Sequence, residues 1–176
     1  MKNSNVKKIA ICSLFASFSL LLAFIGHYSV IPLFLGLKLD ISSFPIFTST
    51  LLFGSSYGYL ILLVVSFIRS IFFSVAGFPG FIKRMTDIIP IFFLGLYHKR
   101  QKNVFLYTIL SIVSSIIIKI PSSYIFWIYF NSMTFEQMNS LLFSVILPYN
   151  IVKVSINVLL SFLLYKKLKN MFQEKL

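Results

Sequence analysis

Long apolar segments separated by short polar connectors are the feature that most constrains the fold of this chain. The clearest ones run from about Ile9 to Gly26 and from Val104 to Phe130, and a membrane helix needs about 20 such residues. Only 11% of the 176 residues are charged, whereas soluble domains average about 25%. The pattern therefore predicts an all-α integral membrane protein.

The spacing of the apolar segments predicts a bundle of six transmembrane helices in a single domain, residues 1–176. The predicted segments are about 9–26, 44–53, 57–75, a fourth from Lys83 to Tyr97, 104–130 and 141–165. The second is barely long enough to cross. The first continues past the length of a signal peptide, so we expect it to be retained. The main turn-rich or polar connectors are 27–43, 76–80 and 131–139.

The basic residues indicate an orientation rather than a nucleic-acid partner, although the formal net charge is +12. They lie at the ends of apolar segments instead of forming a basic stripe. With the N-terminus inside, the clusters at 2–8, 98–102 and 166–169 all fall on the cytoplasmic side, as the positive-inside rule requires. Both termini are then predicted to be cytoplasmic.

Catalytic and metal-binding motifs are missing from the sequence. There is no Gly-rich phosphate loop and no paired cysteine, and neither His27 nor His98 accompanies a nucleophile motif. No ladder of carboxylates crosses successive helices, as a proton relay would need. We therefore expect neither an enzyme, nor a metal site, nor an ion-coupled pump.

Polar residues near the outer half of the predicted bundle are the candidates for a binding site. Asp40 follows the first helix and is one of only four acidic residues. An ionisable group at membrane depth has a function or a partner, so we interpret this stretch as the rim of a site; a solvated turn is the alternative. The other candidates are Arg69, Lys83, Arg84, Asp87, Lys119, Asn150 and Lys153. For each charged residue taken alone, the alternative to ligand binding is that it simply neutralises an opposite charge within the chain.

Two further groups of residues complete the candidates. Asn150 and Lys153 are three apart and share a helix face, where they suit a carbonyl, a hydroxyl or an anion. Aromatic residues available to hold a flat ligand are Phe44, Phe78, Trp127 and Tyr149, with plain packing as the alternative. The first helix carries a face of small residues suited to close helix contact within the chain or with a partner: Cys12, Ser13, Ala16 and Ser17.

Three motifs carry a resemblance to a known family. The stretch Leu37-Lys-Leu-Asp-Ile-Ser-Ser-Phe-Pro45 resembles Leu-x-Leu-Asp-Phe-Ser-Asp-hydrophobic-Pro, which follows the first helix in riboflavin-specific S components of energy-coupling factor (ECF) transporters. Phe53-Gly-Ser-Ser-Tyr-Gly58 resembles their Phe-Gly-Pro-x-x-Gly turn, and Leu147-Pro-Tyr-Asn-Ile-Val-Lys153 resembles their Pro-Phe-Asn-x-x-Lys motif in the last helix. The order and spacing of the motifs also agree.

The resemblance implies a substrate-binding subunit of a vitamin importer in a bacterial plasma membrane. Such a subunit captures riboflavin from outside, docks through the small-residue face of its first helix on a membrane coupling protein, and topples in the membrane to carry the ligand. Two cytoplasmic ATPases hydrolyse the ATP, so riboflavin is cargo and the chain itself has no cofactor. Asn150 and Lys153 would meet the ring carbonyls, and Asp40 the sugar-chain hydroxyls.

The chain departs from the family pattern at three places. Ser43 stands where an acid is usual, Arg69 where Lys-Asn is usual, and Thr86-Asp87 near a usual Asn-Phe. The extra cations suit a more acidic compound, so an S component for a different vitamin or small metabolite is the alternative. A membrane enzyme, an assembly factor acting on lipid and a purely structural subunit are the alternatives from other classes.

Overall fold

The computed structural model describes residues 2–28, 32–34, 37–38, 40–72, 77–101, 103–129 and 132–173. Within these ranges the α-helices are α1 (Lys2–Tyr28), α2 (Phe44–Phe53), α3 (Ser55–Phe72), α4 (Gly77–Met85), α5 (Ile88–Arg100), α6 (Val104–Tyr124), α7 (Phe135–Leu141) and α8 (Leu147–Gln173). Strands β1 (Pro32–Phe34) and β2 (Leu37–Lys38) form a short antiparallel ribbon between α1 and α2. A π-helical segment, Ile125–Tyr129, extends α6, and another, Leu142–Ile146, joins α7 to α8.

The predicted all-α fold with six helical segments is confirmed. The segments are α1, α2, α3, the pair α4–α5, α6 with its π-helical extension, and the continuous run α7–α8. Among the described residues, four stretches are long and apolar enough to cross a membrane, at 5–26, 55–72, 105–129 and 135–171. The second predicted segment has the bounds of α2, which is a ten-residue apolar helix.

Two connectors and one helical segment differ from the prediction. The stretch 76–80 was expected to be a turn, but α4 begins at Gly77, where a positive φ of 42° starts the helix and Pro79 lies in its first turn, a position that tolerates proline. The fourth predicted segment is consequently two helices with a turn at 86–87. Much of the expected polar connector 131–139 belongs to α7, which begins with a capping box between Thr134 and Gln137. Residues 73–76 and 130–131 lie outside the described ranges.

Helix α2 occupies the centre of the bundle. It packs against α1, α3, α5 and α8, and its residues from Pro45 to Leu51 are all buried. Three of them carry hydroxyl groups, which donate to carbonyl oxygens of α2 itself: Thr48 to Phe44 at 2.8 Å, and Ser49 and Thr50 to Ile46 at 2.7 and 2.9 Å. Because these polar groups are satisfied locally, a short helix with several hydroxyls can be buried on every side.

Glycines let α3 and α5 approach one another and α2 closely. Gly54 ends α2 with a φ of 97°, and its N–H donates to the Thr50 carbonyl at 2.9 Å. A Cβ added to Gly58 in α3 would lie 2.1 Å from the Thr50 hydroxyl, and one added to Gly95 in α5 would lie 2.5 Å from the Cβ of Ser55. The motif from Phe53 to Gly58 therefore has a structural basis in the turn and in helix packing.

His98 has a structural role at the opposite end of α2 from Asp40. Its Nδ1 lies 2.8 Å from the Leu51 carbonyl oxygen in the last turn of α2. Carbonyls of a last helical turn have no partner within their own helix, so the imidazole satisfies one of them and links α5 to α2. His98 was expected in a basic loop, but it lies in the last turn of α5.

Candidate substrate-binding site

Asp40 is the centre of a cluster of charged side chains. Its Oδ1 accepts hydrogen bonds from the Ser42 backbone N–H at 3.0 Å and from the Ser42 hydroxyl at 2.5 Å. This Asx-type turn holds the carboxylate at the start of α2. The backbone carbonyl of Asp40 accepts from Asn157 Nδ2 of α8 at 3.0 Å, so the last helix also fixes the turn.

Three cations from three helices surround the Asp40 carboxylate. Its Oδ2 lies 2.7 Å from a guanidinium nitrogen of Arg84 in α4 and 3.3 Å from one of Arg69 in α3. Lys153 Nζ of α8 lies 3.5 Å from the same oxygen. The structure thus brings together residues that the sequence analysis placed in one site, and they also neutralise one another, as the alternative interpretation expected.

The cations keep Asp40 ionised although it is largely buried. Burial by itself raises the pKa of Asp40, but the three surrounding cations and the Ser42 hydroxyl lower it, and the pKa lies well below its usual 3.8. The carboxylate is therefore charged across the physiological pH range. Losing it would leave several cations in an apolar environment without compensation.

Asp87 forms a second charged pair beside the first. In the turn before α5, its Oδ1 lies 3.0 Å from Lys119 Nζ of α6, and its Oδ2 accepts from the Ser43 hydroxyl at 2.9 Å. Two of the departures from the family pattern, at positions 43 and 87, are thus in direct contact. An acid at position 43 would meet the Asp87 carboxylate, so the serine and the carboxylate at position 87 fit each other.

The site as a whole carries an excess of positive charge. In the described part of the chain the site contains two carboxylates, Asp40 and Asp87, and five cations, which is an excess of three positive charges. The cations are Arg69, Lys83, Arg84, Lys119 and Lys153. Unpaired charge is expensive in a low-dielectric interior. The arrangement therefore favours an anionic group or an electron-rich ligand.

The site lies inside the bundle rather than on its rim. The Ser42 carbonyl accepts a hydrogen bond at 2.6 Å from Ser19, a residue in the second half of α1. Ser19 is nine residues before Tyr28, the end of α1, which corresponds to about 13 Å along the helix. The turn at Asp40 and Ser42 therefore lies beside the second half of α1.

Asn150 and Lys119 line a small pocket next to the charged cluster. Asn150 is buried, and its Nδ2 donates to the Ile146 carbonyl of the preceding turn at 2.8 Å. The remaining lining is apolar and comes from α6 and the α7–α8 run: Ile116, Ile120, Leu142, Ile146 and Leu147. A mainly apolar wall with a few placed polar groups is typical of small-molecule sites.

Asn157 is a site residue that the sequence analysis missed. It is buried, its Nδ2 also donates to the Lys153 carbonyl at 2.8 Å, and its Oδ1 has no hydrogen-bond partner among the described residues. Asn150, Lys153 and Asn157 follow each other at intervals of three and four, which places all three on one helix face. That periodicity was available in the sequence and identifies the residue.

The four predicted aromatic residues lie in different surroundings in the structure. Phe44 packs edge-to-face on Phe18 of α1, with ring centroids 5.8 Å apart, so it joins α1 to α2. Phe78 is 70% exposed and stacks on its neighbour Phe81 in α4. Trp127 is half-buried in the π-helical extension of α6, close to the pocket. Tyr149 lies half-buried in the first turn of α8.

The small residues of α1 point in two directions. Cys12 is buried in the core and Ala16 packs against it, whereas Ser13 and Ser17 are exposed. The Ser13 hydroxyl donates to the Ile9 carbonyl at 2.9 Å, so it presents little unsatisfied polarity to lipid. In this conformation only the two serines are available to a partner.

The fold and the site define the class of protein. Six helical segments surround a polar cluster that carries an excess of positive charge, and four stretches of the described residues are long and apolar enough to cross a bilayer. The family model for the substrate-specific component of ECF transporters matches residues 7–165, and the chain belongs to that family. It is an integral membrane subunit of a transporter, not an enzyme, and its family implies a small-molecule substrate, a T component and ATPase partners.

A solved structure has the same fold. It is described as the S component of a bacterial ECF transporter, and the match has a TM-score of 0.74 at 22% sequence identity. The match covers 96% of this chain and 98% of the other. No curated protein sequence matches the chain.

Proposed function

We propose that this chain captures riboflavin from outside the cell and passes it inwards together with a coupling protein and two ATPases. The observation that carries the proposal is the meeting of two motifs that are far apart in the sequence. Lys153 of the last-helix motif lies 3.5 Å from Asp40 of the first-connector motif, and Asn157 binds the Asp40 carbonyl. The resemblance assigns both motifs to riboflavin-type members.

The chemical character of the wall of the pocket beside the cluster suits the proposed ligand. Asn150 and Lys119 supply polar groups to an otherwise apolar wall, and a flavin needs an apolar slot with hydrogen-bond partners for its ring carbonyls. Lys153 holds the longest of the three contacts to Asp40. It is therefore the cation that can turn to a ligand with the least loss, since Arg84 and Arg69 remain on the carboxylate.

A different vitamin or small metabolite that carries an acidic group is the second candidate. The excess of three positive charges around Asp40 and Asp87 favours it, because riboflavin itself is neutral and leaves that excess uncompensated. In either case the charged cluster is the binding end of the bundle.

The proposed orientation places both termini in the cytoplasm. The basic residues at 98–100 and 166–169 lie at one end of the bundle, where Lys169 Nζ donates to Gln101 Oε1 at 3.1 Å. The Asp40 cluster lies towards the other end. The positive-inside rule then directs the site outwards, and the exposed Ser13 and Ser17 of α1 provide the contact with the coupling protein.

A titration of the detergent-purified protein with riboflavin tests the proposal. We expect saturable quenching of flavin fluorescence, and each of Asn150→Ala and Lys153→Ala should weaken binding by about 1–3 kcal/mol, or about 5- to 150-fold. Lys99→Ala is the matched control, because Lys99 is exposed in α5 next to His98. If the wild-type protein does not bind riboflavin, the flavin assignment is refuted. If the folded double variant Asn150→Ala/Lys153→Ala binds riboflavin with unchanged affinity, the assigned residues are refuted.

A further inference from the structure

Lys83 is a largely buried cation without a carboxylate partner among the described residues. The four ion pairs there involve the other cations of the site, whereas Lys83 Nζ lies over the Phe126 ring at 4.5 Å from its centroid and 5.7 Å from that of Trp127. Aromatic faces attract a cation but accept no strong hydrogen bond from its three N–H groups.

The neighbouring Trp127 lacks a hydrogen-bond partner. Its indole N–H is buried and has no acceptor in the described part of the chain. The ring belongs to a small apolar cluster with Leu142 and Ile146, and those two residues also line the pocket that contains Asn150 and Lys119. The Trp127 side chain therefore packs on residues of the proposed substrate pocket.

Both groups are hydrogen-bond donors, which defines the chemistry of a partner for them. A lysine ammonium and an indole N–H donate hydrogen bonds and accept none. The Trp127 N–H is a buried donor without a partner among the described residues, which is costly. A negatively charged acceptor would satisfy the donors and offset part of the excess positive charge.

We propose that the substrate carries a carboxylate or phosphate group, which the Lys83 ammonium and the Trp127 indole N–H hold at the α4–α6 side of the pocket. The inference rests on the second candidate of the proposed function, a substrate with an acidic group, and it names the side chains that hold that group. Asn150 and Lys153 remain the partners of the uncharged part of the ligand.

Two flavins that differ by one phosphate provide the first test. Riboflavin and riboflavin 5′-phosphate are titrated into the purified protein, and binding is followed by the fluorescence of Trp127, the single tryptophan of the chain. We expect the phosphate ester to bind at least tenfold more tightly. Lys83→Gln should abolish that preference, while Lys99→Gln should preserve it. Equal affinity for both flavins, or a preference that survives Lys83→Gln, overturns the inference.

The second test does not depend on the identity of the vitamin. Inorganic phosphate is added to the ligand-free protein at constant ionic strength, and the thermal midpoint is measured for the wild type and for Lys83→Met. We expect Lys83→Met to raise the midpoint by a few degrees without phosphate, because it removes a charge that forms none of the ion pairs among the described residues. Phosphate should raise the midpoint of the wild type alone.

The two tests separate the failure of the inference from that of the flavin assignment. Binding of riboflavin alone keeps the proposed function and overturns the inference. If neither flavin binds, the flavin assignment fails and the phosphate experiment decides the inference: a wild-type shift that Lys83→Met removes supports it, and equal or absent shifts overturn it.

Discussion

Replacing Asp40 with Asn should destabilise the protein strongly, because the substitution removes one charge and changes little else. The amide oxygen of Asn can still accept from the Ser42 N–H, so the turn before α2 keeps its main hydrogen bond. Arg69, Arg84 and Lys153 would lose their common carboxylate at 3.3, 2.7 and 3.5 Å. The four side chains are only 11–21% exposed, so solvent compensates little.

The expected loss follows from the energetics of buried ion pairs. Removing one partner of such a pair costs about 3–5 kcal/mol. In a chain of this size 1 kcal/mol corresponds to about 2–4 °C in thermal midpoint, so Asp40→Asn should lower the midpoint by about 6–20 °C. Lys153→Met removes the longest contact and leaves two cations on Asp40, so we expect a shift of only about 2 °C or less.

Thermal unfolding of the purified protein, followed by helix content, measures these shifts. Glu136→Gln is the matched control, since Glu136 is an exposed carboxylate in α7. The double variant Asp40→Asn/Arg84→Met should recover part of the loss, because it removes one of the uncompensated cations. A midpoint for Asp40→Asn within 2 °C of the control would show that the cluster is not an electrostatic centre of the fold.

Three further predictions concern individual contacts. Ser43→Asp should place two carboxylates in contact and lower the thermal midpoint by several degrees. Adding Asp87→Asn to Ser43→Asp should restore most of the lost thermal midpoint. Additive losses in the double variant would contradict the pairing of these two positions. Gly58→Ala should lower the free energy of unfolding by about 1–3 kcal/mol, because the added Cβ would lie 2.1 Å from a threonine hydroxyl of α2. A thermal midpoint equal to that of a variant at an exposed position of α3 would refute the close approach of the two helices. Affinity for an acidic ligand should fall about tenfold in Lys83→Gln, since a charged ammonium holds an anion more strongly than a neutral amide does. Lys99→Gln should keep the wild-type affinity, and a wild-type affinity in Lys83→Gln would contradict the prediction.

The helical architecture was predictable where hydrophobicity and turn chemistry agree. Pro45 in the first turn and Gly54 at the end set the bounds of α2. The α4 helix and much of α7 were not predicted, because their Gly, Pro and polar residues indicate connectors when tertiary contacts are unknown. The ribbon of Pro32–Phe34 and Leu37–Lys38 has too few residues for a periodic pattern.

The candidate site was predictable in its charges but not in its supporting contacts. Asp40, Arg69 and Lys153 stand out because charge is rare in apolar segments, and the structure brings them together. Ser43 was noted only as a departure from the family pattern, although it binds Asp87. The two directions of the small residues in α1 depend on the rotation of that helix in the bundle, and small-residue spacing alone does not determine that rotation.

The most direct test of the binding site is the identification of the small molecule that the protein retains during purification from the cell. The wild type and the Asn150→Ala/Lys153→Ala variant are purified in detergent, checked for monodispersity, denatured, and their small-molecule extracts compared by mass spectrometry. We expect one compound, either riboflavin or a vitamin with an acidic group, in near-stoichiometric amount with the wild type and depleted at least tenfold from the variant. An equal amount of the compound in both proteins, or no retained or added vitamin bound by the wild type, would contradict the claim that the Asp40 cluster and the last helix form a substrate-binding site.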